Sequence, residues 1–161
     1  MVERKVFECL DNINEIKDRV KKDSKVLVKA NLLRKNSPND GITTHPTIIE
    51  AIVRYFQKLG CTVLVGDSPG GPFNEKSLQA VYRATGMFEV QERTGCELNF
   101  DTSYNEIKNH KAKMLKNMRI VKAFDEVDYV VSAAKLKTHA MMTYTGAVKN
   151  LYGTIPGVTK A

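Results

Sequence analysis

Lys25-Val-Leu-Val-Lys-Ala-Asn31, Pro46-Thr-Ile-Ile-Glu-Ala-Ile-Val-Arg-Tyr-Phe-Gln-Lys-Leu-Gly60 and Cys61-Thr-Val-Leu-Val-Gly-Asp67 together decide the fold. The first and third segments are short, β-branched, apolar runs bounded by polar breaks, the pattern of buried strands. Between them Ile48, Ile49, Ile52, Val53, Phe56 and Leu59 recur at helical spacing. Pro46 suits the first helical turn and Gly60 suits the stop. A strand, a helix of that length and a second strand make a βαβ unit. Its strands are parallel and its crossover is right-handed.

Outward from this unit the alternation continues. Upstream, Ile13, Ile16 and Val20 follow Asp11, a capping residue, and predict an amphipathic helix over 12–22. Asn36-Ser-Pro-Asn-Asp-Gly41 is a loop with turn chemistry. Downstream, 75–94 reads as helix broken near Gly86, with Leu78, Val81, Tyr82, Met87, Phe88 and Val90 inward. Cys96–Phe100 reads as a third strand and Asp128–Ala134 as another, with a short strand at Arg119–Lys122 and a short helix within 145–152. The stretch 101–117 is polar and poorly patterned. The expectation is one α/β domain spanning 1–161, doubly wound, with a mostly parallel sheet and helices on both faces.

The chain has 161 residues, 42% hydrophobic and 27% charged, ordinary values for a globular protein. No apolar run approaches the ~20 residues of a membrane span, and no signal-peptide pattern opens it. Cys9, Cys61 and Cys96 are far apart and form no CxxC pair, so no iron–sulfur cluster is expected within this chain. A reducing cytoplasm is the natural compartment, and no membrane partner is expected. The net charge of +7 is uneven. Lys108–Lys122 holds six bases and no acid, attractive to anions but lacking the interleaved aromatics of a single-strand stacking platform. Nucleic-acid binding therefore rests on charge alone. His110 lies in this tract without a distinct role.

Each strand ends in polar residues unlike its body. The first ends at Lys29 and Asn31, and the second runs into Gly66-Asp67-Ser68-Pro69-Gly70-Gly71. The strand at 128–134 leads into Lys135, Lys137 and His139. In open α/β sheets ligands bind beyond the carboxyl ends of the strands, at the switch in strand order. Lys29, Lys135, Lys137 and Lys149 are suited to hold a carboxylate or phosphate, and Asp67 or His139 to handle a proton or a metal. The glycines of the 66–71 loop permit close backbone approach, with Ser68 and Gly70 beside a ligand. That loop matches neither the dinucleotide nor the phosphate-loop pattern. Its plainer reading is a tight turn. Thr44 and His45 sit at a helix start, where a side chain can cap free amides or an anion can bind them. A cap is the simpler reading for His45. Lys149 and Asn150 complete the candidate ligand set, with Lys137 joining Asp67 and His139 as candidate catalytic groups.

Val26-Leu-Val-Lys-Ala-Asn31, Thr44-His45-Pro46, Gly66-Asp67-Ser68-Pro69-Gly70, Lys135-Leu-Lys137-Thr138-His139 and Thr145-Gly-Ala-Val-Lys149-Asn150-Leu-Tyr-Gly153 resemble, in order, the signatures of the domain of unknown function family 362. The resemblance runs from about residue 25 to 157. It implies an α/β domain often joined to ferredoxin-like modules with two four-iron clusters. Members generally continue beyond the Gly153–Gly157 loop, so a truncated or naturally short version is expected here. Two functions follow. One is a small-anion or cofactor-binding domain, enzymatic or not, in a redox or metal-linked setting. The other is a non-catalytic docking domain whose basic face meets an acidic iron–sulfur (4Fe-4S) electron carrier.

Overall fold

The computed structural model describes residues 1–114 and 116–160. Helices α1 (Val2–Asp11) and α2 (Asn14–Arg19) precede strand β1 (Lys25–Lys29). Helix α3 (Pro46–Lys58) leads to β2 (Thr62–Gly66), and α4 (Glu75–Thr85) and α5 (Met87–Thr94) lead to β3 (Glu97–Leu98). An antiparallel ribbon, β4 (Tyr104–Lys108) and β5 (Asn117–Val121), runs into α6 (Lys122–Asp125) and β6 (Tyr129–Ser132). A hairpin of β7 (Lys137–His139) and β8 (Thr143–Thr145) and helix α7 (Ala147–Leu151) follow, with 3-10 turns at Tyr152–Thr154 and Gly157–Lys160.

The central sheet has the order β3-β2-β1-β6, and every pairing in it is parallel. This is a mixed α/β architecture consistent with the expected doubly wound fold. β1 lies between two neighbours, which is why Val26, Leu27 and Val28 are fully buried and the strand reads as a continuous apolar run. Alternation still sorts them. Val26 and Val28 join Val63 and Val65 beneath α1, α3, α4 and α5, while Leu27 and Leu64 meet Val121, Ala123 and Phe124 on the opposite face. Helices therefore lie on both faces, unevenly: those four pack on one face, and the short α6 packs on the other.

Local chemistry sets the ends. Pro46 occupies the first turn of α3, and the His45 ring accepts from the Thr47 amide as its N-cap. Gly86, at φ +77°, closes α4 and opens α5, the break expected near that residue. Two expectations need correction. Residues 12–22 are not one helix: Ile13 is the extended N-cap of the short α2, and the main N-terminal helix is α1. Val6, Phe7 and Leu10 carry α1 onto the core, with the Phe7 and Tyr55 rings edge to face at 5.2 Å. The polar stretch 101–117 contains strand β4, whose residues are all exposed or half-buried. A ribbon wet on both sides needs no apolar alternation, so it left no signal.

Candidate functional site

β1, β2 and β3 follow one another in a single direction across the sheet, and β6 then falls on the other side of β1. The order reverses between β1 and β6, where a doubly wound sheet opens its ligand crevice. Lys29, Gly66 and Ser132 are register partners, so three strand ends share one level. Asn150 of α7 spans that opening. Its Nδ2 donates to the Lys29 carbonyl at 3.3 Å and to Ser132 Oγ at 3.1 Å.

Beneath Asn150 lies a buried ion pair. Lys29 Nζ is 2.5 Å from Asp67 Oδ1, and it also donates to Ala30 O at 2.9 Å and Asn150 Oδ1 at 3.0 Å. All three ammonium donors are thus used. The Asp67 carboxylate further accepts from the Leu32 amide at 2.8 Å and the Ser68 amide at 2.9 Å. Burial on this scale requires such saturation, because an unpaired buried charge is costly. Gly153 sits directly on the pair. A Cβ there would lie 2.5 Å from Lys29 Nζ and 2.8 Å from Asp67 Oδ1, so close approach requires glycine.

A cleft of about 90 Å³ opens above the pair. Lys29, Asn31, Asp67, Ser68, Lys135, Lys149 and Asn150 all line it. It also contains residues that sequence reasoning did not assign, Lys160 above all. Lys160 Nζ donates to the Ser68 carbonyl and lies 3.3 Å from Ser68 Oγ. Burial lowers the Lys160 ammonium to about 8, with Lys29 and Lys149 adding to the fall and Asp67 opposing it. No periodicity or motif marks this lysine; the turn at Gly157–Lys160 carries it there. A Cβ at Gly157 would collide with the Gly71 carbonyl, so that turn packs tightly on the loop after β2.

The remaining predicted residues are elsewhere. Thr44 is buried, and its hydroxyl donates to Ala133 O at 2.6 Å while accepting from the Asn31 amide at 3.1 Å. It ties β1 to the segment after β6. His45 is exposed and caps α3. Gly70 donates its amide to Leu33 O and borders a separate surface groove. Lys137 donates to the Ile42 carbonyl, and burial first, then Lys149 and Lys135, pull its ammonium downward against the opposing pull of Asp67. His139 lies in the β7–β8 hairpin, where Nδ1 accepts from the Met141 and Met142 amides, each at 3.2 Å. It is not among the residues that line the cleft.

Among the described residues, no three His, Cys, Asp or Glu side chains gather as a metal site. Cys61 and Cys96 are buried in the core, where burial pushes both thiols up. No helix of the described residues is long and apolar enough to cross a membrane.

A thylakoid-associated protein of a Synechocystis strain is 31% identical over 147 residues, which is 88% of this chain and 42% of that protein. The chain thus spans less than half the length of this curated relative. No solved structure matches it. Residues 26–161, nearly all of the chain from β1 onward, match the family described as a domain of unknown function, DUF362. The chain belongs to that family.

Proposed function

We propose that this domain binds a small anion, a carboxylate or a phosphate, in the cleft at the β1–β6 switch. One observation carries the reading. Four lysines (Lys29, Lys135, Lys149 and Lys160) line the cleft with a single carboxylate, and Lys29 already holds that carboxylate. Among the described residues, Lys135, Lys149 and Lys160 form no ion pair, and all three line the same small cleft, so like charges gather there. An anion among them relieves that repulsion, which is strengthened where water is excluded. At about 90 Å³ the cleft is small, the size for a compact ion rather than a large ligand.

Asn31 supports the same reading. Its Oδ1 is buried without a partner among the described residues, and Asn31 lines the cleft. Buried acceptors are usually satisfied, so a ligand that brings a donor, such as the P–OH of hydrogen phosphate, fits there. Asp67 then acts by holding Lys29 and the loop amides, not by moving a proton. The test is thermal unfolding with phosphate, sulfate and acetate. Each ion that binds raises the melting temperature by mass action. Lys149→Ala reduces that gain and Lys113→Ala, in the exposed basic tract, does not. Equal gains in the two variants defeat the reading.

A second reading, docking to an acidic iron–sulfur carrier, is favoured by the exposed face around β7, β8 and α7, which shares Lys135 and Lys149 with the cleft. Leu136, Met141, Met142, Tyr144 and Val148 are exposed, Lys135, Lys137 and Lys149 intersperse them, and no Asp or Glu occurs after Asp128. Charge complementarity would steer an acidic partner to that face. Co-migration with a 4Fe-4S ferredoxin, lost on Met141→Glu, tests it. A cytoplasmic location is part of the proposal. Recovery in washed membranes would instead align the protein with its thylakoid-associated relative.

A further inference from the structure

A second and larger cavity adjoins the anion cleft. It is an open groove of about 640 Å³ between the β4–β5 ribbon and the turns at Tyr152–Lys160. Tyr152 and Lys160 line both cavities. They form one unit: Tyr152 Oη donates to the Lys160 carbonyl at 2.8 Å, and the Lys160 side chain reaches on to Ser68. The two spaces therefore meet at this pair, and the Lys160 side chain borders both.

The two spaces differ in what they accept. The cleft has room for a charged head group and little more. The groove falls within the roughly 300–1,000 Å³ of small-molecule sites. Ile107 and Met118 are cross-strand partners and share one ribbon face, and Ile155 adds a further apolar side chain to the lining. Arg119 is engaged by Glu106 at 3.2 Å and lies over the Tyr104 ring at 4.7 Å. Ile107, Met118 and Ile155 thus share the lining with the charged and polar side chains of Glu106, Lys108, Asn117 and Arg119.

We propose that cleft and groove are two chambers of one ligand site. The ligand is a phosphate ester or carboxylic acid whose anionic head sits among Lys135, Lys149 and Lys160. Its apolar or aromatic body lies over Ile107 and Met118. This inference rests on the anion-binding reading and adds the body of the ligand to it.

Calorimetric titration with two matched pairs tests it: inorganic phosphate with 1-naphthyl phosphate, and acetate with 1-naphthylacetate. The naphthyl member of at least one pair binds about ten-fold tighter or better, because ring burial in the groove adds to the head-group contact. Met118→Trp fills the groove from the ribbon side and abolishes that advantage while leaving the small ions' affinity unchanged. Ile155→Trp does the same from the opposite wall, so the test survives if one variant fails to fold. If the small ions bind and their naphthyl partners bind no tighter, the two-chamber site is overturned and the anion cleft stands. A naphthyl advantage that persists in a folded groove-filling variant overturns it as well. Should none of the four bind, both readings fall together.

Discussion

The Lys29 ammonium lies 2.5 Å from the Asp67 carboxylate, and the two side chains are 1% and 3% exposed. β1 supplies one and the residue after β2 the other, so parallel register places them side by side. Breaking such a pair leaves a buried charge without compensation. Asp67→Asn is expected to cost about 3–5 kcal/mol, whereas Lys29→Met with Asp67→Leu costs much less. Urea unfolding measures both. A mild Asp67→Asn would mean that the pair does not organise the strand ends.

Gly153 gives a steric prediction. Gly153→Ala puts a methyl against Lys29 and Asp67, and overpacking of this kind costs about 1–3 kcal/mol. At Gly146 the nearest atom to an added Cβ is 3.5 Å away, on the Tyr144 ring, and φ is −158°. Gly146→Ala should therefore leave the melting temperature nearly unchanged. Similar losses at both positions would reject the close approach of Gly153 to the ion pair.

Lys160 makes anion binding pH-dependent. With its ammonium lowered to about 8, the group loses its proton as pH rises through that value, and anion affinity falls with it. Unliganded stability moves the other way. Between about 8 and the ordinary lysine value the unfolded chain binds more protons, so stability rises with pH across that window. Lys160→Met should flatten both profiles. Phosphate affinity titrated from neutral to alkaline pH checks the first, and denaturant midpoints at the same pH values check the second.

Thr44 separates a structural role from a ligand role. Thr44→Val deprives the Asn31 amide and the Ala133 carbonyl of their shared hydroxyl. The expected loss is about 1–3 kcal/mol of stability, with the thermal response to phosphate retained. A lost phosphate response at normal stability would return Thr44 to the ligand set.

Much of the fold was legible because its signals are local. Pro46, the apolar face of α3 and Gly60 mark a helix from start to stop, and Val26–Val28 and Val63–Val65 carry the continuous apolar signature of buried parallel strands. β4 was not legible. Its partner β5 lies further along the chain, and its polar, two-sided surface has no period to read. The candidate site divided in the same way. Lys29, Asn31, Asp67, Ser68, Lys135, Lys149 and Asn150, which line the cleft, stand out in the sequence because they follow strands or sit beside a glycine-rich motif. Lys160 was not, because nothing around it distinguishes it from a solvated lysine.

By itself the sequence determined the α/β class, the family and the polar identity of the strand ends, since each depends on short-range periodicity and turn chemistry. Tertiary structure decided which of those polar ends do the same job. Asp67 became the buried partner of Lys29, Thr44 a tie between backbone segments, and His139 the acceptor of a hairpin turn. Only parallel register between β1 and β2, the jump of β6 to the far side of β1 and the return of the last turn could settle this. Charge burial and hydrogen-bond satisfaction depend on neighbours distant in the chain, and those neighbours exist only once the sheet has closed.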